Sequence, residues 1–94
     1  MTCEALVDVL EDTRTLLARE DNDFSWSRWA NSNEAVAEID DILRRINAAE
    51  TIKLLPLQVL FGPTSSLQEV SIESGWGEEF LKLASRFDNA VADL

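Results

Sequence analysis

Apolar residues recur every three or four positions along three stretches of the chain, and this spacing predicts three amphipathic helices. The first is predicted from Thr2 or Cys3 to about Arg19, without an interrupting Gly or Pro. The second begins at a polar cap within residues 31–33 and ends near Ala49, and the third follows a Gly-Trp-Gly turn. The predicted core positions are Leu6, Val9, Leu10, Thr13, Leu16, Leu17, Val36, Ile39, Leu43, Ile46, Phe80, Leu83, Ala84, Phe87, Ala90 and Val91.

Two short helical turns are predicted between the second and third helices. Pro56 favours a helix start, and that turn would end at Gly62. Ser66 and Glu69 fit a capping box for a second turn over residues 67–74. The same stretch contains Val and Ile, which favour sheets, so a strand is the alternative there.

These elements together predict an all-α fold. We expect a three-helix bundle with two short helical turns between the second and third helices, forming a single domain over residues 1–94. The hydrophobic content of 46% and the charged content of 28% are typical of a globular chain. No repeat, low-complexity tract or linker divides it.

The three tryptophans each allow a structural and a binding interpretation. Trp26 and Trp29 would share a face if their segment formed a helical turn. They could then close one end of the bundle or serve as aromatic anchors of an interface. Trp76, between two glycines, is interpreted as a plug in the core, the alternative being a gate over a ligand pocket.

The formal net charge of −10 indicates which partners the chain favours. It disfavours binding to nucleic acid or an anionic membrane, because both depend on Lys and Arg. It favours a basic protein partner, or serves solubility alone. Residues 1–41 carry eleven acidic side chains against three basic ones, so most of the excess lies on the first two helices.

Several of these acids follow one another at helical spacing, where like charges are mildly unfavourable. Asp40 with Arg44, and Asp41 with Arg45, are predicted ion pairs at i,i+4. The acids without such a partner define a predicted acidic patch on the first two helices. It consists of Glu4, Asp8, Asp12, Glu34 and Glu38.

The composition removes most catalytic chemistry. The chain has no His and no Tyr, and Cys3 has no neighbouring base to activate it. Asp21, Asp23 and Ser25 alternate as in a calcium loop, but the required Gly and Glu are absent. We therefore expect no enzyme activity, no catalytic residue, no metal and no cofactor. The acidic N-terminus and the absence of a long apolar run predict a cytoplasmic protein.

Residues 60–72, Leu-Phe-Gly-Pro-Thr-Ser-Ser-Leu-Gln-Glu-Val-Ser-Ile, and the following Gly-Trp-Gly-Glu-Glu-Phe-Leu resemble a group of short uncharacterised bacterial helical proteins. Some relatives of that group resemble immunity proteins of toxin systems. The motif has no known chemical role, so the resemblance assigns no catalytic or binding residue to this chain.

The sequence thus predicts a non-enzymatic, acidic protein-binding module of the immunity or antitoxin type. Its acidic patch, with Trp26 and Trp29, would occlude a basic protein partner. The alternative is a structural or homo-oligomeric helical protein, such as a homodimer, that associates through apolar surface around its tryptophans.

Overall fold

Helix α1 (Glu4–Leu17) is the centre of the fold, because both other long helices pack against it. These are α2 (Ser32–Asn47) and α5 (Gly77–Ala92). The short helices α3 (Leu54–Leu60) and α4 (Ser66–Glu73) connect them, and α4 packs on α5. The computed structural model describes residues 3–92, so the predicted helix start at Thr2 lies outside the described residues.

The all-α prediction is confirmed for residues 3–92, which form five helices and no strand. The strand alternative for residues 67–72 is wrong, because they lie in α4. The arrangement differs from the predicted bundle, in which the three long helices would pack against one another. The extensive helix interfaces are α1 with α2, α1 with α5, and α4 with α5, so α2 and α5 flank α1 rather than closing on each other.

The apolar faces of the helices meet in one continuous core. Trp76 is 1% exposed and fills the core as predicted, and Phe61 stacks on Phe87 with ring centroids 4.5 Å apart. The Cα radius of gyration is 12.6 Å, close to the ~12 Å of a compact domain of this length. Within the described chain, no helix combines the length and the apolarity that crossing a membrane requires.

The start of each short helix differs by one or two residues from its prediction. Helix α3 starts at Leu54, which makes Pro56 its third residue rather than its first. Proline is tolerated there because the first-turn N–H groups have no partner within the helix. Helix α4 is capped by Ser65, whose Oγ accepts a bond from the Gln68 N–H at 3.1 Å, and not by Ser66.

Gly62, which follows α3, and Gly75, which follows α4, are favoured for different reasons. Gly75 has a φ of +85°, so it ends α4 in the left-handed conformation. Gly62 was predicted to do the same after α3, but its φ is not positive. A Cβ at Gly62 would instead lie 3.0 Å from the carbonyl oxygen of Gln58, so close backbone approach favours glycine there.

Candidate functional site

Three carboxylates lie on the solvent side of α1 and define the α1 acidic ridge: Glu4, Asp8 and Glu11. All three are exposed. Residues on a helix turn by about 100° each, which places these three within one narrow sector. The buried side of α1 lies directly opposite and consists of Leu6, Val9, Leu10, Thr13, Leu16 and Leu17.

An ion pair borders the ridge on each side. Toward α2, Arg14 Nε lies 2.5 Å from Asp40 Oδ1. Toward α5, Arg86 Nη1 lies 2.8 Å from Asp12 Oδ2. Asp12 is therefore the edge of the ridge and is neutralised by Arg86, whereas the three ridge carboxylates make no ion pair within residues 3–92.

The predicted acids of α2 do not join this surface. Glu38 and Asp40 are two residues apart, about 200° around the helix, so they point to opposite flanks. Asp40 faces α1, whereas Glu38 faces the loop before α2, where it pairs with Arg28. The structure therefore divides the predicted five-residue patch, because the flank of α2 that carries Glu38 is turned away from α1.

Glu34 and Glu38 both hold the start of α2 in place. Glu34 Oε1 accepts the backbone N–H of Ala30 at 3.1 Å. Asn31, the N-cap of α2, accepts the N–H of Glu34 at 3.0 Å. The Glu38 carboxylate forms an ion pair with the Arg28 guanidinium and accepts the Trp29 indole N–H at 3.4 Å. Helical spacing indicates no partner for these two acids, because their partners come from the loop and not from the same helix.

The two neighbouring tryptophans do not share a face. Trp29 is 4% exposed and Trp26 is 71% exposed. Residues 18–31 contain turns instead of a helix, and the Ser27 hydroxyl bonds to both the N–H and the C=O of Trp29. Trp29 packs in the core under Arg28, whose guanidinium carbon lies 5.0 Å from the ring centroid. Trp29 therefore cannot act as an exposed interface anchor, and only Trp26 is available for that role.

The third tryptophan is joined to the same loop by Asn22. The Trp76 Nε1–H donates to Asn22 Oδ1 at 2.8 Å, and Asn22 Nδ2 donates to the Leu16 carbonyl at 2.7 Å. The loop also runs alongside α4, because the N–H groups of Asp23 and Arg28 donate to hydroxyls at its two ends, Ser74 and Ser66. These bonds fix the loop that carries Trp26 to the body of the fold.

The acids nearer the end of α2 are locally neutralised. Asp41 pairs with Arg44 at 2.8 Å and with Arg45 at 3.0 Å, so the predicted pair with Arg45 is present. Bonding to Arg44, with the charge of Arg45 adding to it, holds the pKa of the Asp41 carboxyl below its ordinary value. The predicted Asp40–Arg44 pair is wrong, since Asp40 pairs with Arg14 on α1.

Asp23, one of the loop acids that alternate as in a calcium loop, forms a hydrogen bond within the loop. Asp23 Oδ1 accepts the Ser25 N–H at 2.8 Å, and this bonding lowers the pKa of Asp23. Among the residues that the structure describes, no three His, Cys, Asp or Glu side chains are grouped as metal ligands. The α1 acidic ridge is therefore the exposed charged surface that we consider further.

Comparisons with protein-family models, with curated proteins and with solved structures find no match for this chain. The predicted acidic patch contains Glu4 and Asp8 but not Glu11. Helical spacing could have indicated Glu11, since it is three residues from Asp8 and on the same face. The bordering role of Arg86 depends on tertiary packing, and no local pattern indicates it.

Proposed function

We propose that this protein is a non-enzymatic, acidic binding module of the immunity or antitoxin type, which occludes a basic protein partner with the α1 acidic ridge. The observation that carries the proposal is that Glu4, Asp8 and Glu11 face solvent together and form no ion pair with any residue from 3 to 92. Asp12 forms the edge of the contact surface, and Glu34 and Glu38 lie outside it. The site of action is the cytoplasm, where Cys3 stays reduced.

The ridge is suited to electrostatic recognition. Glu4 and Asp8 are four residues apart, and Asp8 and Glu11 are three apart, so the carboxylates repel one another mildly. A basic partner removes this repulsion when it binds, and the excess negative charge of the chain speeds the encounter. The folded chain thus carries an unfavourable arrangement that association relieves.

The experiment compares three tagged proteins as baits in native lysate, with elution in steps of rising salt and identification by mass spectrometry. They are the native chain, a ridge variant with Asp8→Lys and Glu11→Lys, and a control with Glu20→Lys and Asp21→Lys. The control makes the same change in net charge at exposed loop positions that form no ion pair in the described chain. Its binding therefore separates the ridge from overall charge.

We expect a basic protein that the native chain and the control retain and the ridge variant releases. With that protein purified, the ridge variant should associate about tenfold more slowly at low salt and show a weaker salt dependence. An inhibition assay of the partner's activity then tests occlusion. Equal retention by all three baits would exclude the ridge as the binding surface.

The alternative function is homo-oligomerisation through exposed apolar surface. It rests on Trp26, which is 71% exposed on a loop that hydrogen bonds hold against α4. This alternative predicts a dimer or larger species in light scattering that high salt leaves intact and that Trp26→Ser disperses. A monomer at all concentrations would count against it.

A further inference from the structure

Residues 51–68 are the longest stretch of the sequence without Asp or Glu, although the chain as a whole has a net charge of −10. Helix α3 lies within this stretch and has no charged residue. Leu55 and Val59 are 69% and 62% exposed and stand one turn apart on its outer face. Helix α3 therefore presents an apolar crest to solvent in a protein whose surface is otherwise strongly acidic.

A groove of about 490 Å³ lies beside this crest, between α3 and α2. Its floor is lined by Ile42 of α2 and by the buried Leu57 and Leu60 of α3. A smaller depression of about 250 Å³ continues along the same side of α3. Its lining shares Pro56 and Leu60 with the groove and also includes Val59. Val59 belongs to both the crest and this depression, so the crest adjoins the groove along α3.

The rim of the groove is basic. Arg28, Arg45 and Lys53 line it together with two carboxylates, Glu38 and Asp41. Arg28 pairs with Glu38, and Arg45 pairs with Asp41, so both carboxylates are neutralised. Lys53 forms no ion pair within residues 3–92. The groove thus has a net positive rim, opposite in sign to the rest of the molecule.

We infer that the α2–α3 groove is a docking site for an acidic amphipathic helix of a partner protein. Such a helix lays its apolar face against the crest and floor, as in other helix-in-groove complexes. Its acidic flank meets Lys53 and the arginines at the rim. A second copy of this chain fits less well, because two molecules of net charge −10 repel each other. This site is separate from the α1 acidic ridge and does not depend on it.

The test measures the binding of labelled peptides by fluorescence anisotropy. The probe is a Leu/Glu peptide of about 18 residues, roughly five helical turns, with leucines at helical spacing. One comparison peptide has the same composition in an order that gives no apolar face. Another replaces each Glu with Lys.

A matched pair of variants locates the binding. Lys53→Glu with Val59→Asp alters the groove. Lys82→Glu with Leu81→Asp makes a matching pair of changes on α5, one Lys to Glu and one aliphatic residue to Asp. Val59 and Leu81 are equally exposed, at 62%, and both lysines are exposed. Circular dichroism and thermal melting establish that both variants fold as the native chain does.

We expect the helical Leu/Glu peptide to bind the native chain and the α5 variant, and to bind the groove variant about tenfold or more weakly. The peptide without an apolar face should bind weakly to all three proteins. Equal weakening in both variants, or no measurable binding to the native chain, would overturn the inference.

Two further measurements test whether a second copy of the chain or an anionic membrane occupies the groove instead. Sedimentation that reveals a dimer lost only in the groove variant, without peptide binding, would assign the surface to a second copy. Cosedimentation with phosphatidylglycerol vesicles, again without peptide binding, would assign it to an anionic membrane. Either result contradicts docking of an acidic helix.

Discussion

At the scale of single residues, Asn22 connects two parts of the fold that are distant in sequence. Its side chain accepts the indole N–H of Trp76 and donates to the last turn of α1 at Leu16. Asn22→Ala leaves the N–H of a tryptophan that is 1% exposed without its partner. We expect the free energy of unfolding, measured with urea, to fall by about 1–3 kcal/mol.

Two other substitutions make this measurement specific. Asn22→Asp keeps an acceptor for Trp76 but replaces the donor to Leu16 with a carboxylate oxygen that the carbonyl repels, so it should also lower stability. Asn33→Ala changes an exposed asparagine that makes no side-chain hydrogen bond within residues 3–92 and should leave stability nearly unchanged. Equal stabilities of Asn22→Ala and Asn33→Ala would show that the bond to Trp76 contributes nothing.

At the scale of elements, two adjacent serines at the start of α4 have separate tasks. Ser65 caps the helix through the Gln68 N–H, whereas Ser66 Oγ accepts the N–H of Arg28 and holds the loop. Ser65→Ala should lower the free energy of unfolding by about 1 kcal/mol. Ser66→Ala should cost less stability but speed hydrogen exchange at the Arg28 amide.

Amide exchange followed by NMR provides the internal control. The Asp23 N–H is bonded to Ser74 at the other end of α4, so its exchange should not change in Ser66→Ala. If Ser66→Ala instead proves more destabilising than Ser65→Ala, the assignment of the cap to Ser65 is wrong.

The same serines show how far local patterns predict elements. Both Ser65–Gln68 and Ser66–Glu69 fit the spacing of a capping box. The helix start was predicted there, but Ser66 was predicted as the cap and Ser65 is the cap. The choice is made by tertiary structure, because Arg28 engages the hydroxyl of Ser66. The buried faces of α1 and α5 were largely predicted, since apolar spacing indicates them. In α2, Ile39 is buried as predicted, but Val36, Leu43 and Ile46 are only partly buried.

The candidate site was predicted only where its residues share one helix. Glu4 and Asp8 lie together on α1 as their spacing indicates. Glu38 was predicted to lie with them, but it pairs with Arg28 and Trp29 instead. These partners lie in the loop before α2, where no periodic pattern indicates contacts. The loop conformation likewise separated Trp26 from Trp29, and it depends on hydrogen bonds that the sequence does not reveal.

At the scale of the whole molecule, the net charge of −10 opposes folding through self-repulsion. Salt screens this repulsion over a Debye length of about 10 Å at 0.1 M. It also weakens the pairs Arg14–Asp40 and Asp12–Arg86, but these pairs are exposed and contribute little to stability. We therefore expect the melting temperature of the native chain to rise as NaCl is added.

The ridge variant Asp8→Lys with Glu11→Lys decides whether part of this repulsion is local. It and the control Glu20→Lys with Asp21→Lys carry the same net charge. Only the ridge variant converts the like-charge pairs Glu4–Asp8 and Asp8–Asp12 on α1 into opposite-charge pairs, while positions 8 and 11 stay alike in charge. At low salt the ridge variant should be more stable than the control by up to roughly 1 kcal/mol, and its melting temperature should depend less on salt.

This difference bears directly on function. If the ridge variant is more stable and yet no longer retains a basic partner, the native ridge trades stability for recognition, as functional surfaces often do. If both variants have the same stability at every salt concentration, Glu4, Asp8 and Glu11 are no less favourable than dispersed surface acids. The carboxylates of α1 would then be explained by solubility alone, and the case for a basic partner would lose its physical basis.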